Sequence, residues 1–135
     1  MRANPYLTFN GNCKAAFELY AKVLGGTPEI MTYGQSPAAE QTPKEQHDRV
    51  LHAHLKAGDV VLMGSDAPPQ FFSQPQGFSV AIGGVTPEEA ERIFRALSEG
   101  GMVKMPIAET FWAARFGMCV DRFGTPWIVN GGEKM

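Results

Sequence analysis

One internal repeat constrains this chain more than any other feature. Displaced by 74 positions, Ala16, Leu19, Tyr20, Val23, Gly26 and Met31 fall on Ala90, Ile93, Phe94, Leu97, Gly100 and Met105. In both copies an apolar pattern of helical period ends at a glycine pair, Gly25-Gly26 or Gly100-Gly101, and gives way to an extended stretch. A supersecondary unit that occurs twice in 135 residues predicts one pseudo-symmetric domain, built from two halves with a cleft where they meet.

Each half reads as β-α-β-β-β. In the first, Tyr6-Leu7-Thr8-Phe9 alternates as a strand does, and Asn10-Gly11 breaks it before Asn12, an N-cap candidate. The helix that follows runs to about Leu24, with Ala16, Phe17, Leu19, Tyr20, Val23 and Leu24 on one broad stripe suited to lying on a sheet. Glu29 to Tyr33 is a second strand, and the polar run from Gly34 to Asp48 is a long loop. Arg49 to Lys56 and Val60 to Ser65 then form a hairpin about Ala57-Gly58-Asp59. A linker over about 66–77, with Pro68, Pro69 and Pro75, separates the modules, about 1–66 and 77–131. Phe78 to Ile82 opens the second half. Thr86-Pro87-Glu88-Glu89 predicts a capped helix start with a capping box between Thr86 and Glu89, and that helix ends near Gly100. Met102 to Ile107, Ala114 to Val120 and Pro126 to Asn130 supply the remaining strands, which makes eight strands and two helices.

Composition excludes several classes of function. With 44% hydrophobic residues the chain can bury a core, and its length fits one domain. A formal charge of -2 with scattered Lys and Arg offers no field for a nucleic acid backbone. No apolar run reaches the length of a membrane span, and Met1 to Pro5 lacks the pattern of a secretory signal. Cys13 and Cys119 have neither metal spacing nor a disulfide framework, so reduced structural thiols and a cytoplasmic location are expected. No dinucleotide-binding glycine motif, phosphate-binding loop or nucleophile elbow is present.

The run Glu109-Thr110-Phe111-Trp112-Ala113-Ala114-Arg115-Phe116-Gly117 and the run Asp121 to Trp127 stand downstream of His52-Ala53-His54-Leu55 and of Leu62 to Asp66. Together they resemble the PhnB-like branch of the vicinal oxygen chelate superfamily, which includes glyoxalase I, bleomycin-resistance proteins and extradiol dioxygenases. The resemblance covers essentially the whole chain. It implies an α+β fold in which paired βαβββ modules curl eight strands into a cup with the helices outside, commonly in homodimers. It does not imply a reaction, because function resides in the site. Enzymes of this superfamily hold a divalent metal with His and Glu on the first and last strand of each module. The matching positions here are Asn4, Leu62, Gly77 or Phe78, and Ile128, and none of them or their neighbours is His, Asp or Glu. A chain without the superfamily metal is therefore expected. Some relatives carry a ubiquinone-biosynthesis methyltransferase label, but this chain lacks a Gly-rich strand-to-helix turn for a nucleotide-like methyl donor, so no cofactor is expected.

Five polar or aromatic candidates would line the cup: His52, His54, Glu109, Trp112 and Arg115. Period-two alternation places both imidazoles on one strand face, with Leu51, Ala53 and Leu55 on the other. There the histidines form a proton-transfer pair, or sit half exposed at a dimer seam. Arg115 could fork onto a carboxylate or phosphonate with Trp112 as a flat wall and Glu109 as base, or it could pair with Glu109 or Asp121 to hold a hairpin. Trp127 belongs to the core, and Phe71-Phe72 reads as a lid over the cup or, in preference, as a dimer anchor. The resulting expectation is a metal-free, dimeric protein that binds a small polar or anionic molecule. The rival is a metal-dependent lyase or isomerase with ligands from His52, His54 and Glu109, and a third reading is an interaction subunit without a ligand.

Overall fold

In the computed structural model, which describes residues 1–134, the repeat resolves into two units that divide after Ser73. The first unit contains β1 (Tyr6–Phe9), α1 (Cys13–Leu24), β2 (Glu29–Thr32), β3 (Val50–Ala57) and β4 (Val60–Asp66). The second contains β5 (Val80–Val85), α2 (Pro87–Ser98), β6 (Met102–Ala108), β7 (Ala113–Val120) and β8 (Pro126–Glu133). Each unit forms a four-stranded sheet, in the order β1-β4-β3-β2 and β5-β8-β7-β6. The one parallel pair in each sheet, β1 with β4 and β5 with β8, is the pair at the edge that the helix crossover creates. Two α+β modules of βαβββ type result.

Burial makes each helix necessary to its sheet. Ala16, Phe17, Tyr20 and Val23 of α1 are buried with Ala53, Leu55 and Leu62, and Ala90, Ile93, Phe94 and Leu97 of α2 with Cys119, Trp127 and Val129. Burying a large apolar side chain contributes roughly 1.5–3 kcal/mol, so these clusters dominate the stability of their units. Helix and sheet approach so closely that a glycine is required in each. A Cβ at Gly64 would lie 2.8 Å from the Phe17 ring, and one at Gly117 would lie 2.7 Å from the Phe94 ring. Trp127 is fully buried, as its position beside Pro126 predicts.

Several local expectations are corrected. Asn12 occupies the N-cap of α1 but makes no side-chain cap bond. Asp66, far away in sequence at the end of β4, accepts from Gly11 N at 2.7 Å, Cys13 N at 3.1 Å and Val50 N at 2.9 Å. Only half of the capping box at α2 forms. Thr86 Oγ1 accepts from Glu89 N at 3.1 Å, while the Glu89 carboxylate turns to Arg92 instead. The long loop from Gly34 to Asp48 is folded into 3-10 turns at Tyr33–Gln35, Ala39–Gln41 and Lys44–Gln46. His47 Nε2 lies 3.0 Å from Ala39 O and 2.9 Å from Thr42 O and holds these turns together. Turns so short carry no apolar period, which is why the sequence pattern hides them. The register of β2 on β3 shifts between Met31 and Thr32, so Val50 rather than Leu51 takes the buried place there. β5 starts at Val80, not Phe78, and β8 continues past Asn130 to Glu133.

Candidate functional site

Strand alternation gives each sheet a face under its helix and an opposite face, where residues are free to do chemistry. In the first unit Ala53 and Leu55 are buried under α1, which sends His52 and His54 to the opposite face as expected. There His54 stands across from Glu29 on one side and Met63 on the other, and Met63 stands across from Tyr6. Tyr6 leans over to His52: its Oη lies 3.4 Å from His52 Nδ1, and the rings are tilted at 35° with centroids 5.9 Å apart. The phenol donates or accepts according to the imidazole tautomer, and both groups retain further capacity to bond. Tyr6 is absent from the sequence-level candidates. Its signal was the alternation of Tyr6-Leu7-Thr8-Phe9, because Leu7 and Phe9 are buried and Tyr6 must face the other way.

The second unit carries the other three candidates: Lys134 joins two of them, its backbone N–H donating to Trp112 O at 2.8 Å and its Nζ to Glu109, while Arg115 turns to α2. Trp112 packs edge to face on Phe111, at 4.7 Å, and on Phe116, at 5.0 Å. Phe111 is 81% exposed, so this aromatic group reaches into solvent. Glu109 is exposed and takes Lys134 Nζ at 2.6 Å, and that ammonium, through its hydrogen bond and its charge, lowers the carboxyl pKa below the usual 4.5. A carboxyl held ionised in this way is a weak proton acceptor, which argues against its role as a base. For Arg115 the expected ion-pair partner is corrected. It lies on the helix face of β7, where Nε donates to Glu91 of α2 at 2.9 Å and Nη1 donates to Ala114 O at 2.8 Å. Its partner is neither Glu109 nor Asp121. Asp121 is buried and accepts from Phe123 N at 2.9 Å, Thr125 N at 3.0 Å and Trp127 Nε1 at 2.8 Å.

The cysteines are buried in the helix-covered layers. Burial, and then the charge of Asp66, pushes the Cys13 thiol far above its ordinary range. Burial and Asp121 raise Cys119 to about 11. Neither supplies a thiolate at neutral pH.

The superfamily metal can be tested against these positions. Leu62 is fully buried on the helix face, so the residues of β4 that face away from α1 are Val61, Met63 and Ser65. On the other strands the corresponding side chains are Tyr6 and Thr8 of β1, Ala81 of β5, and Ile128 and Asn130 of β8. That set contains no imidazole, carboxylate or thiolate and does not fit a divalent cation. Among the described residues no cluster of three or more His, Cys, Asp or Glu is placed to hold one.

The geometry agrees with similarities to other proteins. Residues 2–130 match the family model described as 3-demethylubiquinone-9 3-methyltransferase. Protein YjdN of Escherichia coli is 33% identical, over 96% of this chain and 95% of its own. The crystal structure of protein PA1353 from Pseudomonas aeruginosa is 46% identical, covers 98% of both chains and superposes with a TM-score of 0.89. A Bacillus cereus structure described as a putative 3-demethylubiquinone-9 3-methyltransferase, PhnB protein, shares the fold at 21% identity, with a TM-score of 0.79 over 98% of this chain and 100% of its own. The methyltransferase description implies a nucleotide-like methyl donor, which the turn between β1 and α1 does not suit. The Gly11 and Cys13 amides that would meet an anionic group there are taken by Asp66.

Proposed function

Because the chain belongs to the PhnB-like family of the vicinal oxygen chelate superfamily, we propose that it is a metal-free protein that binds a small polar or anionic molecule. The ligand meets the face of the first sheet that α1 leaves uncovered, and Tyr6, His52 and His54 contact it. The Tyr6-His52 pair carries this reading. Two hydrogen-bonding rings in contact on an uncovered strand face, with a third beside them, are an arrangement that core packing does not require. The family model spans both units, which supports reading them as halves of one domain. Glu109 and Arg115 act in this reading through their ion pairs with Lys134 and Glu91, and the alternative metal set of His52, His54 and Glu109 finds no support.

A cytoplasmic, homodimeric protein fits this proposal. Both thiols are free and buried, and among the described residues no helix is long and apolar enough to cross a membrane. Met102, Val103 and Met105 are exposed on the edge strand β6, Phe71 is 74% exposed in the linker, and dimerisation would cover such surface. Light scattering that returned only the 14.7 kDa monomer would remove the dimer from the proposal. Calorimetric titration of small carboxylic acids, alcohols and phosphonates tests the binding itself. A hit should lose about tenfold in affinity in His52→Ala and severalfold in Tyr6→Phe. Equal affinities in all three proteins would defeat the assignment, as would elemental analysis showing one transition metal per chain after dialysis.

A further inference from the structure

Among the described residues, three buried polar side-chain atoms lack a hydrogen-bond partner: Gln46 Oε1, Arg49 Nε and Asn130 Oδ1. The first two lie among the turns of residues 33–49. Asn130 stands within β8, in a sheet position where a polar group is costly. Val129 and Gly131 on either side of it, like Trp127, are buried under α2, so Asn130 and Ile128 project from the opposite face. There Asn130 is directly opposed by Phe116 of β7, and Ile128 by Met118. Phe116 is the ring on which Trp112 packs, and Phe111 extends the group outwards. An amide carbonyl left unpaired in apolar surroundings costs about 1–3 kcal/mol, and a leucine there would avoid that cost. The combination has the composition of a small-molecule site: apolar and aromatic walls with one convergent acceptor.

We infer that Asn130 is the specificity-determining acceptor of a second binding site, on the second unit, for a neutral ring-bearing molecule with an N–H or O–H donor. The ring lies against Phe116 and Trp112, and the donor completes the Asn130 carbonyl. Charge is excluded by the neighbours, since Phe116, Met118 and Ile128 offer a desolvated ion nothing. This inference stands apart from the site proposed on the first unit. It rests only on β7, β8 and the Trp112 group.

Phenol and anisole test it, because they share the ring and differ in the donor. Titrated into ¹⁵N-labelled protein, phenol should shift the Asn130 side-chain amide and the Phe116 and Trp112 backbone signals, and anisole should bind about tenfold more weakly. Asn130→Leu should abolish that preference while anisole still binds. Its melting temperature should be equal to or above that of the wild type, because the unpaired carbonyl is gone. Equal binding of phenol and anisole to wild-type protein, shifts confined to other residues, or no binding at millimolar concentration would each overturn the inference. A large loss of stability in Asn130→Leu would show that the amide has a structural partner and would overturn it as well. Signals from Tyr6, His52 and His54 are read in the same spectra, so failure of this site and failure of the first-unit site are told apart.

Discussion

Across the first sheet, one residue per strand, run Tyr6, Met63, His54 and Glu29; across the second, in the same strand order, run Ala81, Ile128, Met118 and Met105. Beneath the helices the two units agree closely. Ala16 and Ala90, Tyr20 and Phe94, and Val23 and Leu97 are buried at equivalent places, 74 residues apart. A packed face tolerates little change of volume, so both copies keep it. The uncovered face carries no such restraint. Along this row one copy holds a phenol, an imidazole and a carboxylate, and the other holds apolar side chains with the Asn130 amide beside them. The difference teaches that the repeat carries the fold, while chemical specialisation lies where the copies diverge.

The corners of the two units offer the hardest test of this division. Asp66 and Asp121 each take three N–H groups from the chain around them, at places that do not correspond in the repeat. Removing either carboxylate strands several buried donors. Asp66→Ala and Asp121→Ala should each lose about 3–5 kcal/mol in urea denaturation. A loss below about 1 kcal/mol in one unit alone would mean that the units are not held in comparable ways.

The close approach of helix and sheet should respond less strongly. Gly64→Ala presses on Phe17 and Gly117→Ala presses on Phe94, and each should destabilise by about 1–3 kcal/mol. Thermal melts that single out only one of them would break the equivalence of the packed faces. Arg115→Lys keeps the charge but loses the geometry at Glu91, with both side chains partly exposed at 41% and 36%. It should cost about 0.5 kcal/mol and leave ligand affinity unchanged. A marked loss of affinity would return Arg115 to the site.

The smallest effect concerns Glu109. Lys134 lowers its pKa below 4.5, so the pair contributes stability at neutral pH, and that contribution is lost as the pH falls through the depressed value. Glu109→Gln should therefore flatten the acid limb of the stability profile slightly and leave the profile above pH 6 unchanged in shape. A change confined to the alkaline side would contradict the pairing.

Much of this was legible in the sequence. The repeat fixes two βαβββ modules, Trp127 announces itself as core, and alternation places His52 and His54 on one face, because each of these depends on local periodicity. What stayed hidden depends on contacts between residues far apart in sequence. Asp66 caps α1 from the end of β4, and no spacing rule reaches that far. Arg115 looked available for a ligand because Glu91 belongs to a different element. Asn130 drew no notice as an ordinary strand-end polar residue, and only its buried, unpaired oxygen marks it out.

The most direct test of the contrast between the uncovered faces is a two-dimensional NMR titration of the ¹⁵N-labelled chain. The ligands are aliphatic carboxylic acids, alcohols and phosphonates, without the ring that the Asn130 site takes, and His52→Ala is measured in parallel. The account predicts that shifts concentrate at Tyr6, Glu29, His52, His54, Met63 and Ser65 and need about tenfold more ligand in His52→Ala, while Ala81, Met105, Met118 and Ile128 stay unmoved. Shifts gathered on those four apolar residues, or persisting unchanged in His52→Ala, would contradict it.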